Sequence, residues 1–290
     1  MFKREVIDLK IMEGLSPLFK GKMGHRLARL VMRIFAIDKV NWVYGRSCYN
    51  KGAAFAHSLL KDLGVKYRIG NAERLQHLPE NSFITISNHP YGGIDGIMLI
   101  DLMVSIRSDY KIMVNQFLSY VRTMEENFIS VRPKVGKKSV DPVSAFNGIR
   151  ETLTHLQEGH PVGFFPAGAV SMFFIKNLRV KDREWQESVL KLIQKAKVPV
   201  VPIRFFDKNS PLFYFLGVVN WRIRLIRMPY EIFNKSKQYP RIGIGNVITV
   251  EEMAKYTDYK SLGNFLREMV YGMPMPETFI PRSELSIQPI

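Results

Sequence analysis

The sequence predicts an α/β fold: a single layered domain whose mixed sheet is flanked by helices, preceded by an amphipathic helical segment. Three observations predict it. Short β-rich apolar runs alternate with helical patterns from about residue 50 to residue 273. Helix-start signals recur between those runs. No internal repeat or low-complexity linker divides the 290 residues, a length that can bury a sizeable core. Residues 1–45 are read as the N-terminal segment, 46–273 as the domain and 274–290 as an irregular tail.

The N-terminal segment carries Leu15, Leu18, Phe19, Leu27, Leu30, Val31, Ile34 and Phe35, with Lys20, Lys22, Arg26, Arg29 and Arg33 mostly between them. That is a basic, amphipathic pattern at helical spacing over 15–36. It suits a helix packed on the core with a solvated basic face, or a helix lying on anionic lipid. Residues 50–63 then read as a helix ended by Gly64, and 66–70 as a strand. Ser82–Ser87 is a strand that stops at Asn88-His89-Pro90, and 94–106 is helical. Tyr110–Val114 and Phe128–Val131 are strands. Asp141-Pro142, a cap followed by proline at the first helical position, opens a helix that Gly159 closes. Val162–Phe165 is a strand ending in Pro166-Ala167-Gly168. A helix over 184–196 leads into the buried strand Val198–Phe205, and Arg241–Gly245 is a late strand. Thr249 to Glu252 has capping-box form, and Asp258 caps a last helix to about Met273.

Composition limits the function classes. The chain carries a formal charge of +16 and a pI near 9.8, so its partner surface is anionic: nucleic acid, anionic lipid or an acidic carrier. The basic residues are spread along the chain and form no nucleic-acid-binding module, so no nucleic-acid partner is expected. The single cysteine, Cys48, precludes an intrachain disulfide and has nothing around it that would activate a thiolate. Met1–Glu5 lacks the apolar core of a signal peptide, and no apolar run approaches the ~20 residues of a membrane span. The expected location is the cytoplasmic side, at most lying on a membrane. Leu212–Val219 is apolar but short, and suits a core or interfacial element.

Chemistry concentrates at Asn88-His89-Pro90-Tyr91-Gly92-Gly93-Ile94-Asp95. A strand ends, a histidine follows, and a Gly-Gly turn leads to an aspartate at the start of a helix. A carboxylate on one ring nitrogen fixes the tautomer and makes the other nitrogen a better base. Without a neighbouring serine or cysteine nucleophile, such a pair suits deprotonation of a substrate hydroxyl; a histidine capping a turn is the structural alternative. Gly163 to Ser171 places Pro and Gly after a strand, where backbone N–H groups can meet an oxyanion or phosphate, although many strand-to-loop turns look the same. Arg132 follows a third strand as either a solvated charge or a bidentate anion ligand. His25, His57, His77, His155 and His160 show no metal-ligand spacing and read as structural.

His89 with Asp95, then Arg132, then Phe165-Pro166-Ala167-Gly168, then Val198-Pro199-Val200-Val201-Pro202 reproduce, in order, the four blocks of the glycerolipid acyltransferase superfamily, which includes lysophosphatidic-acid acyltransferases. The resemblance spans about residues 82–205. It implies that His89 is the general base, that Asp95 orients it, and that Arg132, Pro166, Gly168 and Ser171 contact substrate. It also implies an acyl-CoA or acyl carrier protein donor, a lysolipid acceptor, no cofactor or metal, and peripheral (monotopic) attachment to the membrane surface. Lys134, Lys137 and Lys138 are candidates to receive the acidic donor, and Lys176, Arg179, Lys181 and Arg183 to face lipid head groups.

Two departures point to a branch. Five residues rather than four separate His89 from Asp95, in a His-Pro-x-Gly-Gly-x-Asp form similar to hemolysin-like proteins and to enzymes of ornithine- and glycine-lipid synthesis. Ala167 and Val170 stand where phosphatidic-acid makers carry a Glu and an Arg that help hold glycerol phosphate. The expected activity is therefore O-acylation of a lyso-aminolipid. Phosphatidic-acid synthesis is the alternative within the class, and a non-catalytic, hemolysin-like membrane-binding role is the alternative outside it.

Overall fold

The structure, a computed structural model, describes residues 4–115, 121–131 and 142–286, with the backbone alone at 142–146, 222 and 226. Arg132, Lys134, Lys137, Lys138 and the expected cap Asp141 lie outside the described residues. In chain order the elements are α1 (Leu9–Leu15), α2 (Gly21–Ile34), α3 (Ile37–Ser47), α4 (Gly52–Asp62), β1 (Arg68–Gly70), β2 (Ile84–Ser87), α5 (Gly93–Met103), β3 (Lys111–Asn115) and β4 (Phe128–Val131). There follow α6 (Pro142–Gln157), β5 (Val162–Phe164), β6 (Met172–Phe174), β7 (Arg179–Lys181), α7 (Glu187–Ala196), β8 (Val200–Phe205), α8 (Pro211–Val219) and α9 (Trp221–Asn234). The chain closes with β9 (Arg241–Ile244), α10 (Val250–Ala254), α11 (Tyr259–Tyr271) and β10 (Ile280–Pro281).

Eight strands form one mixed sheet in the order β10-β1-β9-β8-β2-β5-β3-β4. The run β8-β2-β5-β3-β4 is parallel throughout. β9 is antiparallel to β8 and parallel to β1, and β10 closes the edge antiparallel to β1. The period-2 alternation of each strand divides its side chains between two cores. Val201, Ile203 and Phe205 of β8 join α3, α4 and α5 on one face. Ile84 and Ile86 of β2, with Val200, meet α7 and α11 on the other. Ile84, Ile86 and Ile203 are fully buried, which stabilises by roughly 1.5–3 kcal/mol each.

The local signals act as their chemistry requires. Thr249 Oγ1 accepts the Glu252 N–H while Glu252 returns a carboxylate to the Thr249 N–H. Asp258 Oδ1 accepts from Lys260 and Ser261 at the start of α11. Two expectations are corrected. The amphipathic stretch 15–36 is not one helix: Ser16 is extended and caps a 3-10 turn over Pro17–Phe19, so α2 begins only at Gly21. The tail after Pro274 is not wholly irregular, because β10 adds a strand to the sheet edge. The basic run 176–183 lies on a β6–β7 hairpin. No described helix is long and apolar enough to cross a membrane.

Candidate active site

The connection after β2 leads one way, to β3, and the connection after β5 leads the other way, to β8. The crevice between the C-terminal ends of β2 and β5 is therefore the switch point at which parallel α/β sheets place their ligands. His89 follows β2 and Phe165-Pro166-Ala167-Gly168 follows β5, so both stretches meet there.

Asn88 ties this end of the sheet together, its amide donating to the Phe205 carbonyl and accepting the Phe205 N–H. The turn beyond His89 depends on Gly92, whose φ of +87° few side chains adopt. A Cβ there would also press on Met228 Sδ at 3.0 Å and Val170 at 3.3 Å. This turn absorbs the extra residue between His89 and Asp95. Asp95, fully buried in the first turn of α5, brings Oδ2 to 2.8 Å from His89 Nδ1, off the ring's N–H axis. The same oxygen accepts the N–H groups of Tyr91 and Gly92 at 3.0 and 3.1 Å. Burial pushes the Asp95 carboxyl above its ordinary value, and the contact with His89 and these two N–H groups oppose it.

The His89 ring lies 4.3 Å from the Phe165 ring and retains 17% exposure. Its Nε2 has no protein partner among the described residues. Gly93 is exposed, and a Cβ built on it would meet nothing within 4 Å, so the space at the first turn of α5 is open. The ring thus pairs a carboxylate on one nitrogen with an unengaged nitrogen beside open space, an arrangement able to take a proton from a bound hydroxyl. Cys48 is buried and donates to the Gly45 carbonyl, away from this site.

The third block does other work than expected. The Gly168 N–H is taken by the Phe165 carbonyl, and the Pro166 carbonyl accepts from Gln186, so neither residue presents a spare donor. Ser171 is 2% exposed: its N–H donates to the His89 carbonyl at 2.8 Å, and its hydroxyl donates to Asp182 Oδ1. It positions His89 rather than lining open space. The N–H groups of Gly93 and Ile94, in the first turn of α5, are instead left without an acceptor among the described residues, as a helix start requires.

Sequence reasoning missed Asp182. It is fully buried, and Oδ1 accepts both the His89 N–H, at 3.2 Å, and the Ser171 hydroxyl, while Oδ2 has no partner. Burial raises its carboxyl, with Ser171 and His89 opposing. It stands among Arg179, Lys181 and Arg183, a basic run read as facing lipid head groups, which drew no attention to a lone carboxylate. Also unforeseen was the bracing of Pro90, whose carbonyl accepts from Asn209, and a fully buried Lys235 whose Nζ stands 4.8 Å over the Tyr91 ring. Of the five histidines read as structural, His155 and His160 gather with Glu158, ligand atoms of the three lying within 4.8 Å of one another. The group spans the end of α6 and the turn after it, and its spacing matches no helical or hairpin metal pattern.

Strands, switch point and His–Asp pair together describe an α/β enzyme domain with a base placed to deprotonate a bound hydroxyl. The profile of a family described as acyltransferase matches residues 14–275, and the chain belongs to that family and is an acyltransferase. It is 26% identical to a lyso-glycine lipid O-acyltransferase from Bacteroides thetaiotaomicron, over 92% of this chain and 97% of that protein. A protein of the same name from Phocaeicola vulgatus is also 26% identical, over 81% of this chain and 83% of its own length. Among solved structures, a 1-acyl-sn-glycerophosphate acyltransferase from Thermotoga maritima aligns over 85% of this chain and 87% of its own, at 12% identity and a TM-score of 0.47.

Proposed function

We propose that this enzyme moves a fatty acyl group from an acyl thioester to the hydroxyl of a lyso-aminolipid of the glycine-lipid type, at the cytoplasmic face of a membrane. The observation that carries the reading is His89, with Nδ1 held at the buried Asp95 carboxylate and Nε2 unengaged beside the open start of α5. Nε2 takes the acceptor's hydroxyl proton as the oxygen attacks the thioester carbonyl. Asp95 steadies the imidazolium that forms. The N–H groups of Gly93 and Ile94, at the positive end of α5, face the charge of the tetrahedral oxyanion. Collapse expels the thiolate, which recovers the proton from His89. The Ser171 hydroxyl donates to Asp182 rather than to His89, which supports direct transfer without an acyl-enzyme. The donor is acyl-CoA or acyl carrier protein; both are acidic and suit a chain of charge +16.

The acceptor reading rests on two supports. Both curated relatives act, by name, on lyso-glycine lipid. Ala167 is buried and Val170 sets a methyl against the Gly92 turn, so the third block presents apolar surface in place of a carboxylate and a guanidinium. Purified enzyme given one acyl thioester should acylate lyso-glycine lipid at least about tenfold faster than lysophosphatidic acid. That ratio corresponds to about 1.4 kcal/mol of differential transition-state binding. The reverse preference would overturn the acceptor assignment while leaving acyl transfer intact.

Attachment to the bilayer is supported by an apolar and basic rim beside the site. Ile175 and Leu178, at the turn of the β6–β7 hairpin, are 64% and 76% exposed, and α8, which packs beside β6, exposes Phe215 and Val219. Lys176 and Arg179 alternate with them, the pattern of an interfacial element on anionic lipid. The double variant Leu178→Ser, Phe215→Ser should lose at least about tenfold in partition onto phosphatidylglycerol-containing vesicles, given roughly 1.5–3 kcal/mol per buried apolar side chain. An unchanged partition coefficient in flotation would remove this rim from the contact face.

A further inference from the structure

We propose that His155, Glu158 and His160 form a site for one divalent transition-metal ion of the Zn²⁺ class, which staples the end of α6 to the turn before β5. Ligand atoms of the three residues lie within 4.8 Å of one another. Zn²⁺ binds imidazole nitrogen and carboxylate oxygen at about 2.0–2.2 Å, so a tetrahedral shell sets its ligands about 3.4 Å apart. Glu158 is exposed and its carboxylate has no protein partner among the described residues, so rotation of this one side chain can tighten the group.

What distinguishes this cluster from chance neighbours is its support. Each ring commits one nitrogen to Asp109: His155 Nε2 lies 2.9 Å from its carbonyl oxygen, and His160 Nδ1 lies 2.6 Å from its Oδ2. That contact fixes each tautomer and leaves the other ring nitrogen, His155 Nδ1 and His160 Nε2, as a lone-pair donor. A carboxylate or carbonyl behind each imidazole is how metal-binding histidines are oriented. Asp109 is itself held by a bidentate Arg107, which also gathers the carbonyls of Glu80, Asn81 and Gly159. An open cleft of about 450 Å³, lined by Asn147, Arg150, Thr154, His155 and Glu158, gives an ion and its water a path in.

The site sits before the first residues of β3 and β5, at the opposite end of the strands from His89. Its effect is on stability, not on the acyl-transfer step. The test uses the full-length chain, free of affinity tags and stripped with chelator, titrated with ZnCl₂ or CoCl₂. We expect one ion per chain after desalting, a melting temperature that rises with free Zn²⁺, and a cobalt absorption spectrum of low coordination number. Glu158→Gln, which disturbs no Asp109 contact, should weaken binding at least about tenfold, and His160→Ala should abolish it. Absence of stoichiometric binding overturns the proposal. So does binding that Glu158→Gln leaves unchanged, which places the ion elsewhere; this readout stands even if His160→Ala fails to fold.

Discussion

His89→Ala should reduce transfer from an acyl thioester to lysolipid by about 10²–10⁴-fold, the usual contribution of a general base, in a protein that still folds. The ring is partly exposed, and the packing it loses is the Phe165 contact, worth about 1 kcal/mol. The loss also removes the imidazole beside Asp95 and leaves that carboxylate with the Tyr91 and Gly92 N–H groups. Rates, far-ultraviolet circular dichroism and thermal melting of the same preparation check this together. A folded variant with nearly unimpaired transfer would refute the role assigned to the ring.

Asp95→Asn should separate activity from stability. An amide cannot stabilise the imidazolium, so transfer falls by roughly a hundredfold or more. Its carbonyl oxygen, however, can still accept the two N–H groups that close the turn. Because burial raises the Asp95 carboxyl in the folded chain above the 3.8 of an unperturbed aspartate, folding disfavours its ionised form. The sign follows from linkage. Below 3.8 the group is protonated folded and unfolded, and contributes nothing. As pH rises through the window from 3.8 to the folded value, ionisation progressively destabilises the wild type, and the effect is complete above it. At neutral pH the asparagine variant should therefore melt at a higher temperature than wild type, and the gap should close on acidification towards 3.8. A lower melting temperature at neutral pH would show that the ion pair with His89 outweighs the cost of burial.

The elements that declared themselves in the sequence were those governed by local chemistry. Thr249 with Glu252, and Asp258, mark helix starts because their side chains satisfy N–H groups within three residues. The strands of the central parallel run were legible because β-branched residues buried on both faces leave few alternatives. The β6–β7 hairpin was not, because its turn places Leu178 in the left-handed region (φ 48°), where a glycine or asparagine would have announced it. The helix α8 is apolar on all sides and α9 contains Pro229, so neither shows a clean 3.6-residue period. In the site, His89 and Asp95 were visible as neighbours in one turn. Asp182 was not, since its partners come from elsewhere in the chain, and the roles expected of Gly168 and Ser171 assumed free groups that a turn bond to Phe165 and tertiary bonds to His89 and Asp182 occupy.

The double fastening of His89 has a consequence for modularity. Its carbonyl is held by Ser171 and its amide by Asp182, 93 positions further along the chain. The pair His89–Asp95 is thus encoded in a single short loop, but its registration is encoded past β5, in the hairpin beside the exposed rim. A fragment ending before residue 171 would carry every residue of the first block and none of the fasteners. Catalytic competence here belongs to the completed chain, so grafting the His-to-Asp loop onto another α/β sheet transfers the reagents without the alignment.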